Sequence, residues 1–183
     1  LFNKRLPVDH CNPTLISKNI NLFLDESEDS FIKYDESMGW TITPNKTNSN
    51  GLYHNNIDGV RTDGEKKVFY DKNPDDSRLR IALFGDSFTD GDEVSFKETW
   101  GYLLEKLSIE SGLNLEVLNF GVGGYGMDQA FLRWKKEGKK YFPDVVLFGF
   151  QPENIQRNVN LYRFLISSQT GIPFSKPRFI IEE

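Results

Sequence analysis

The residues with the clearest chemical potential are Gly85-Asp86-Ser87, where the apolar run Ile81-Ala82-Leu83-Phe84 feeds directly into a turn bounded by Gly91. A serine at a strand end faces the crevice where open α/β sheets bind ligands, and its hydroxyl can serve there as a nucleophile. Two further loops follow apolar runs: Gly121-Val122-Gly123-Gly124-Tyr125-Gly126 after residues 115–120, and residues 151–158 after residues 144–150. Parallel strands bring their carboxyl ends together, so the three loops are expected to form one crevice. A hydroxyl from the first, backbone N–H groups from the second and an amide or carboxylate from the third are what acyl transfer uses: a nucleophile, and donors aimed at a developing oxyanion. Glycine suits the second loop, because without a Cβ the backbone can approach a substrate closely. The matching base is missing, since His10 and His54, the only histidines, both precede the serine.

Positioning these loops takes strands and helices in alternation, and the chain changes to that pattern at residue 79. Residues 81–84 and 115–120 read as strands, and the almost purely apolar run 144–150 as a third, buried on both faces. Between them, Trp100, Leu103, Leu104 and Leu107 stand at i, i+3, i+4 and i+7, which predicts a helix over residues 98–111 stopped by Gly112. A second helix is predicted over 128–140, with Ala130, Phe131 and Trp134 on one face and basic residues toward its C-terminal end, where they suit the helix dipole. Residues 151–160 read as a polar loop. The alternation predicts a parallel sheet in a three-layer α/β/α domain of flavodoxin-like architecture. Trp100 and Trp134 are expected to anchor its core. Asp86, Asp90 and Asp92 lie near Ser87, where acidic residues commonly act as caps, and no metal-ligand set is read among them. Asp86, with Arg157 and Asn158 just past the third strand, is assigned to contacts with a polar substrate.

Residues 1–75 are rich in Asn, Asp, Ser, Lys and Pro, with short apolar groups such as Leu22-Phe23-Leu24 and Phe31-Ile32. They read as a loop-rich N-terminal extension with short strands, ahead of a domain over 76–183. Hydrophobic residues at 38% and aromatics at 14% suit a packed core, and no stretch approaches the apolar length needed to cross a bilayer. With 22 basic and 27 acidic residues the net charge is -5, so there is no electrostatic footprint for nucleic acid or an anionic membrane. Cys11 stands alone, which rules out an internal disulfide and a cysteine-based zinc site and leaves the compartment open.

Gly85-Asp86-Ser87 after a strand, Asn119-Phe120-Gly121-Val122-Gly123-Gly124 after the next, and the polar turn after Gly149 resemble the first three blocks of the SGNH, or GDSL-type, esterase and lipase family. The resemblance covers residues 79–160. It implies ester hydrolysis through an acyl-enzyme on Ser87, on small acyl esters such as acetylated carbohydrates, without a cofactor. It also implies that the Ser87 and Gly124 backbone amides belong to an oxyanion hole. The third block departs from the family, whose Asn-Asp pair is replaced by Pro152-Glu153-Asn154-Ile155. Aligned without a gap, Glu153 takes the donor position; a one-residue shift gives it to Asn154. The family's Asp-x-x-His, which supplies the base and its orienting aspartate, has no counterpart here, and three strands are read where the family has about five. The expectation is a chain that stops before both. The competing reading is a non-catalytic carbohydrate-binding or assembly protein that keeps the fold without the donor. Gly121, Gly123 and Gly126 also satisfy the G-x-G-x-x-G spacing of dinucleotide-binding loops. That loop follows the second strand rather than the first, and no acidic residue at a later strand end is placed for a ribose.

Overall fold

The computed structural model describes residues 13–24, 30–64, 69–73, 77–166 and 172–180. Its N-terminal part holds more regular structure than its composition suggests. A twelve-residue helix, α1 (Pro13–Leu24), stands where loops were expected. Ile16, Ile20, Phe23 and Leu24 keep helical spacing there, behind a proline at the first helical position, where its missing N–H would be unsatisfied anyway. Two antiparallel hairpins follow, β1 (Ile32–Asp35) with β2 (Gly39–Ile42), and β3 (His54–Asn55) with β4 (Arg61–Thr62). The Asp35 carboxylate ties the first hairpin's turn by accepting from the backbone N–H groups of Ser37 and Met38.

From residue 79 the expected alternation is present. Strand β5 (Leu79–Gly85) leads into the short helix α2 (Ser87–Asp90), then α3 (Trp100–Glu110), β6 (Leu115–Asn119), α4 (Met127–Lys136), β7 (Val145–Gly149), α5 (Glu153–Val159) and α6 (Arg163–Ile166). The three strands form a parallel sheet in the order β6-β5-β7, with Ile81 beside both Val117 and Val145. Side chains alternate across it. Ala82, Phe84, Leu118 and Phe120 pack with Ala130 and Trp134 of α4 on one face. On the other, Ile81, Leu83, Leu115 and Val117 pack with Leu104 of α3. The result is the α/β/α layering expected from the sequence.

Two expectations about burial are corrected. β7 is not buried on both faces: among the described residues it pairs with β5 alone, and Leu147 and Phe148, which point to opposite faces, are 37% and 36% exposed. The apolar row of α3 does not face the sheet squarely either, since Trp100, Leu103 and Leu107 are all exposed, while Gly101 and Ser108 are buried. Closeness is the reason: a Cβ on Gly101 would stand 2.7 Å from Leu83 Cδ1, so the helix turns its small residues inward. Trp134 does join the core, edge-on to Phe148.

The hairpins share this core, although composition changes near residue 75. Met38, Trp40 and Ile42 pack with Val122, Tyr125 and Ile172, and Val60 joins the cluster on the α4 face. Polar ties run alongside: Tyr125 Oη donates to Trp40 O at 2.6 Å, Gln129 Nε2 to Met38 O at 2.7 Å, and Trp40 Nε1 to Gly123 O at 3.1 Å. Buried Arg133 bridges Phe120 O and Gly59 O. The loop 121–126 is thereby clamped between β2 and the sheet. Among the described residues no helix is long and apolar enough to cross a membrane.

Candidate active site

Ser87 occupies the first turn of α2, directly after the central strand. The chain turns there because Asp86, in an extended conformation, caps the helix: its Oδ1 accepts from Phe88 N at 3.0 Å, and Gly91 (φ +84) closes the other end in the left-handed region. Half-buried Ser87 opens on a cleft of about 460 Å³, shared with Phe88, Asp92, Glu93, Val94 and Trp100. Trp100, expected in the core, is therefore a wall of this cleft.

The rim opposite is held by the N-terminal hairpins. Tyr53 Oη donates to Asp92 Oδ1 at 2.5 Å and accepts from Glu93 N at 2.7 Å. The Arg61 guanidinium lies over the Tyr53 ring at 4.4 Å, pairs with Asp90 Oδ2 at 3.2 Å and donates to Val94 O at 2.8 Å. Asp90, the last residue of α2, is buried, and burial pushes its carboxyl up to about 6 in spite of Arg61.

Asp86, expected to contact a polar substrate, is engaged within the protein. Its buried Oδ2 accepts from Arg157 Nη1 at 2.7 Å, Asn154 Nδ2 at 3.0 Å and Gln151 Nε2 at 3.1 Å. Arg157 also donates to Tyr125 O at 3.3 Å and to Glu153 Oε2 at 2.9 Å, and it is 8% exposed. Carboxylate and guanidinium are thus paired with one another, with Arg157 Nε buried without a partner among the described residues. What the pair does is join all three loops. Asn158 is exposed but turned away: its Oδ1 accepts from Asp128 N and its carbonyl from Lys176 Nζ, which links α5 to the start of α4. It is not among the residues lining the Ser87 cleft.

The polar loop expected over 151–160 is the helix α5, packed inside out. Its buried residues are Asn154 and Arg157, while Ile155 and Val159 are 62% and 81% exposed. Both Asn154 amide hydrogens are engaged, by Asp86 and by Tyr125 O at 3.3 Å, and its Oδ1 accepts from Gln151 N. Glu153 holds its carboxylate in solvent against Arg157. The second loop is different. Gly124 sits half-buried at φ +80, a conformation that favours glycine. Among the described residues no hydrogen-bond acceptor takes its N–H or that of Ser87. Gly121 brings this loop against α2, since a Cβ there would lie 2.2 Å from Asp90 N. His54 is bonded to Thr47 Oγ1 at 2.8 Å on β3, and His10 lies outside the described residues.

No protein-family model and no curated protein matches this chain. Solved structures do. The likeness is to SGNH-hydrolase family esterases. AlinE4, described in those words, and one of its single-residue variants share 23% identity with this chain, and a second variant shares 22%. In each case the alignment covers 55% of this chain and 53% of the other, with a TM-score of 0.39. The chain spans about half the length of the solved structures it matches.

The residues that shape the cleft without having been read from the sequence are Tyr53, Arg61 and Trp100. Tyr53 and Arg61 precede Ser87 by 34 and 26 positions and carry no local pattern, so only the folded chain brings them there. Trp100 stands in the apolar row of α3, on the exposed side of the helix that forms the cleft wall.

Proposed function

We propose that the Ser87 cleft is the site of a serine esterase that hydrolyses small acyl esters, acetylated carbohydrates among them, through an acyl-enzyme. The observation that carries this reading is the setting of Ser87: a half-buried serine at the carboxyl end of the central strand, lining a cleft. The N–H groups of Ser87 and Gly124, which no acceptor among the described residues takes, support it. Ser87 Oγ bonds to the ester carbonyl carbon as its proton passes to a base, and the carbonyl oxygen takes up negative charge that backbone N–H donors can stabilise. The alcohol leaves with a proton from that base; water then cleaves the acyl-serine, releasing the acid and restoring the hydroxyl. By the family resemblance the base is a histidine of an Asp-x-x-His, and none of the described residues fills that role.

One observation favours a second reading, ligand binding without catalysis. The third block offers no free donor, because the Asn154 amide is held by Asp86 and Tyr125 and Glu153 contributes a carboxylate. Hydrolysis of 4-nitrophenyl acetate by the full-length protein separates the two. The esterase reading expects turnover that disappears in Ser87→Ala and an acetyl adduct on the peptide containing Ser87. A well-folded protein with neither turnover nor adduct supports the binding reading.

A further inference from the structure

Two side chains of the N-terminal part hold the segment that follows Ser87. Tyr53, just before β3, donates from Oη to Asp92 Oδ1 at 2.5 Å and accepts there from Glu93 N at 2.7 Å. Arg61, in β4, pairs with Asp90 Oδ2 at 3.2 Å and donates to Val94 O at 2.8 Å, with its guanidinium over the Tyr53 ring. The same segment closes back on the serine. The Ser87 carbonyl accepts from Gly91 N at 2.9 Å and from Asp92 N at 2.8 Å. Asp92 is therefore bonded to Ser87 through its backbone and to Tyr53 through its side chain, and it lines the cleft with Ser87, Glu93 and Val94.

One backbone angle shows that this path is not the segment's own preference. Glu93 has φ +64, in the left-handed region, where a residue other than glycine is strained and stays only when its surroundings hold it. Its side chain is exposed, so packing does not hold it; the bond from its N–H to Tyr53 Oη does. Burial, and then the bond to Asp92, raise the pKa of the Tyr53 hydroxyl, which therefore keeps the proton it donates. Asp92 and Glu93 are both exposed, so water can replace the hydroxyl at either without leaving a buried polar group. The two bonds thus matter little to stability and much to where the segment lies. Displacing a reacting group by about 1 Å can cost on the order of a hundredfold in rate.

We propose that Tyr53 is a positioning residue for Ser87: its hydroxyl fixes residues 91–94 and, through Asp92, sets the serine against the cleft. The hairpins ahead of the sheet are then a working part of the site, while the reaction assigned to Ser87 itself rests on the esterase reading.

The test is Tyr53→Phe in the full-length protein, which keeps the ring beside Arg61 and removes only the hydroxyl. Reactive serines are counted by fluorophosphonate titration carried to completion, so that kcat for 4-nitrophenyl acetate is obtained per site. It should fall about tenfold with KM held within about twofold, and the melting temperature should stay close to that of the unsubstituted protein. A role confined to folding would instead lower the number of reactive sites and leave kcat per site unchanged. Amide hydrogen exchange should quicken over residues 91–94 and not over β5. Asp92→Ala, which removes one of the two bonds and leaves the tyrosine in place, should give a smaller loss of the same kind. Unchanged kcat per site in both variants overturns the proposal and leaves the esterase reading standing. If the unsubstituted protein neither hydrolyses the ester nor takes the label, the esterase reading fails by itself and exchange judges Tyr53. Faster exchange over 91–94 in Tyr53→Phe then keeps it as the residue that sets the cleft rim, and unchanged exchange overturns the proposal.

Discussion

Asp86→Asn should damage stability far more than ligand affinity. In the native protein the Asp86 carboxylate caps α2 and accepts three donors from α5 and the turn before it, one of them the buried Arg157 guanidinium. The asparagine oxygen can keep the cap, but its amide then faces Arg157, Asn154 and Gln151, all of them donors. Breaking a buried ion pair by removing one partner costs about 3–5 kcal/mol, because the other charge is left uncompensated. Glu153 still holds one end of Arg157, but from solvent, so the lower half of that range, about 3–4 kcal/mol, is expected. Urea unfolding followed by circular dichroism should show a lower midpoint with an unchanged slope, and the melting temperature should drop by roughly 6–16 °C, at about 2–4 °C per kcal/mol for a domain of this size. A loss under about 1 kcal/mol, combined with a weakened affinity for substrate, would refute the structural role and return Asp86 to the substrate.

Asp90 should impose a pH dependence of its own. Its carboxyl is held up to about 6 against an ordinary 3.8, so between those values the folded state keeps a proton that the unfolded chain has lost. Stability therefore falls as pH rises through that window, by about 3 kcal/mol in all, and levels off above it; in urea titrations from acid to neutral pH, Asp90→Asn should remove this part of the slope, and identical slopes would count against it. Gly121→Ala places a methyl on the backbone of Asp90, which cannot rotate away, so a loss of about 1–3 kcal/mol and displacement of α2 are expected in thermal melts and in a crystal structure. Trp100→Ala removes a cleft wall that is already 38% exposed, so kcat/KM on small esters should fall several-fold while the midpoint of urea unfolding moves little; unchanged kinetics would take Trp100 out of the site.

Strands β5 and β6 were legible because their apolar runs are long and end in glycine-bearing turns, and α4 because Ala130 and Trp134 of its apolar face meet the sheet, while Phe131 of the same face stays exposed. Where reading failed, hydrophobicity and burial had come apart. α5 buries Asn154 and Arg157 and exposes Ile155 and Val159, so a periodicity of apolar residues points to the wrong face. α3 buries Gly101 because the sheet approaches too closely for a larger residue, a fact no spacing of leucines discloses. β7 has the composition of a central strand and the position of an edge one. The turns that hold Ser87 and Gly124 could be read from local turn chemistry. The pairing of Asp86 with Arg157, 71 positions apart, could not, since each residue alone looks like an available polar group. Arg61 and Arg133 were hidden for the same reason: long cations buried against backbone carbonyls leave no pattern in the chain around them.

The central claim is that Ser87 is an activated nucleophile, and fluorophosphonate labelling of the full-length protein tests it most directly. The account predicts a covalent adduct on the peptide containing Ser87, with none in Ser87→Ala. A folded protein that takes no label, or takes it at another residue, would contradict it.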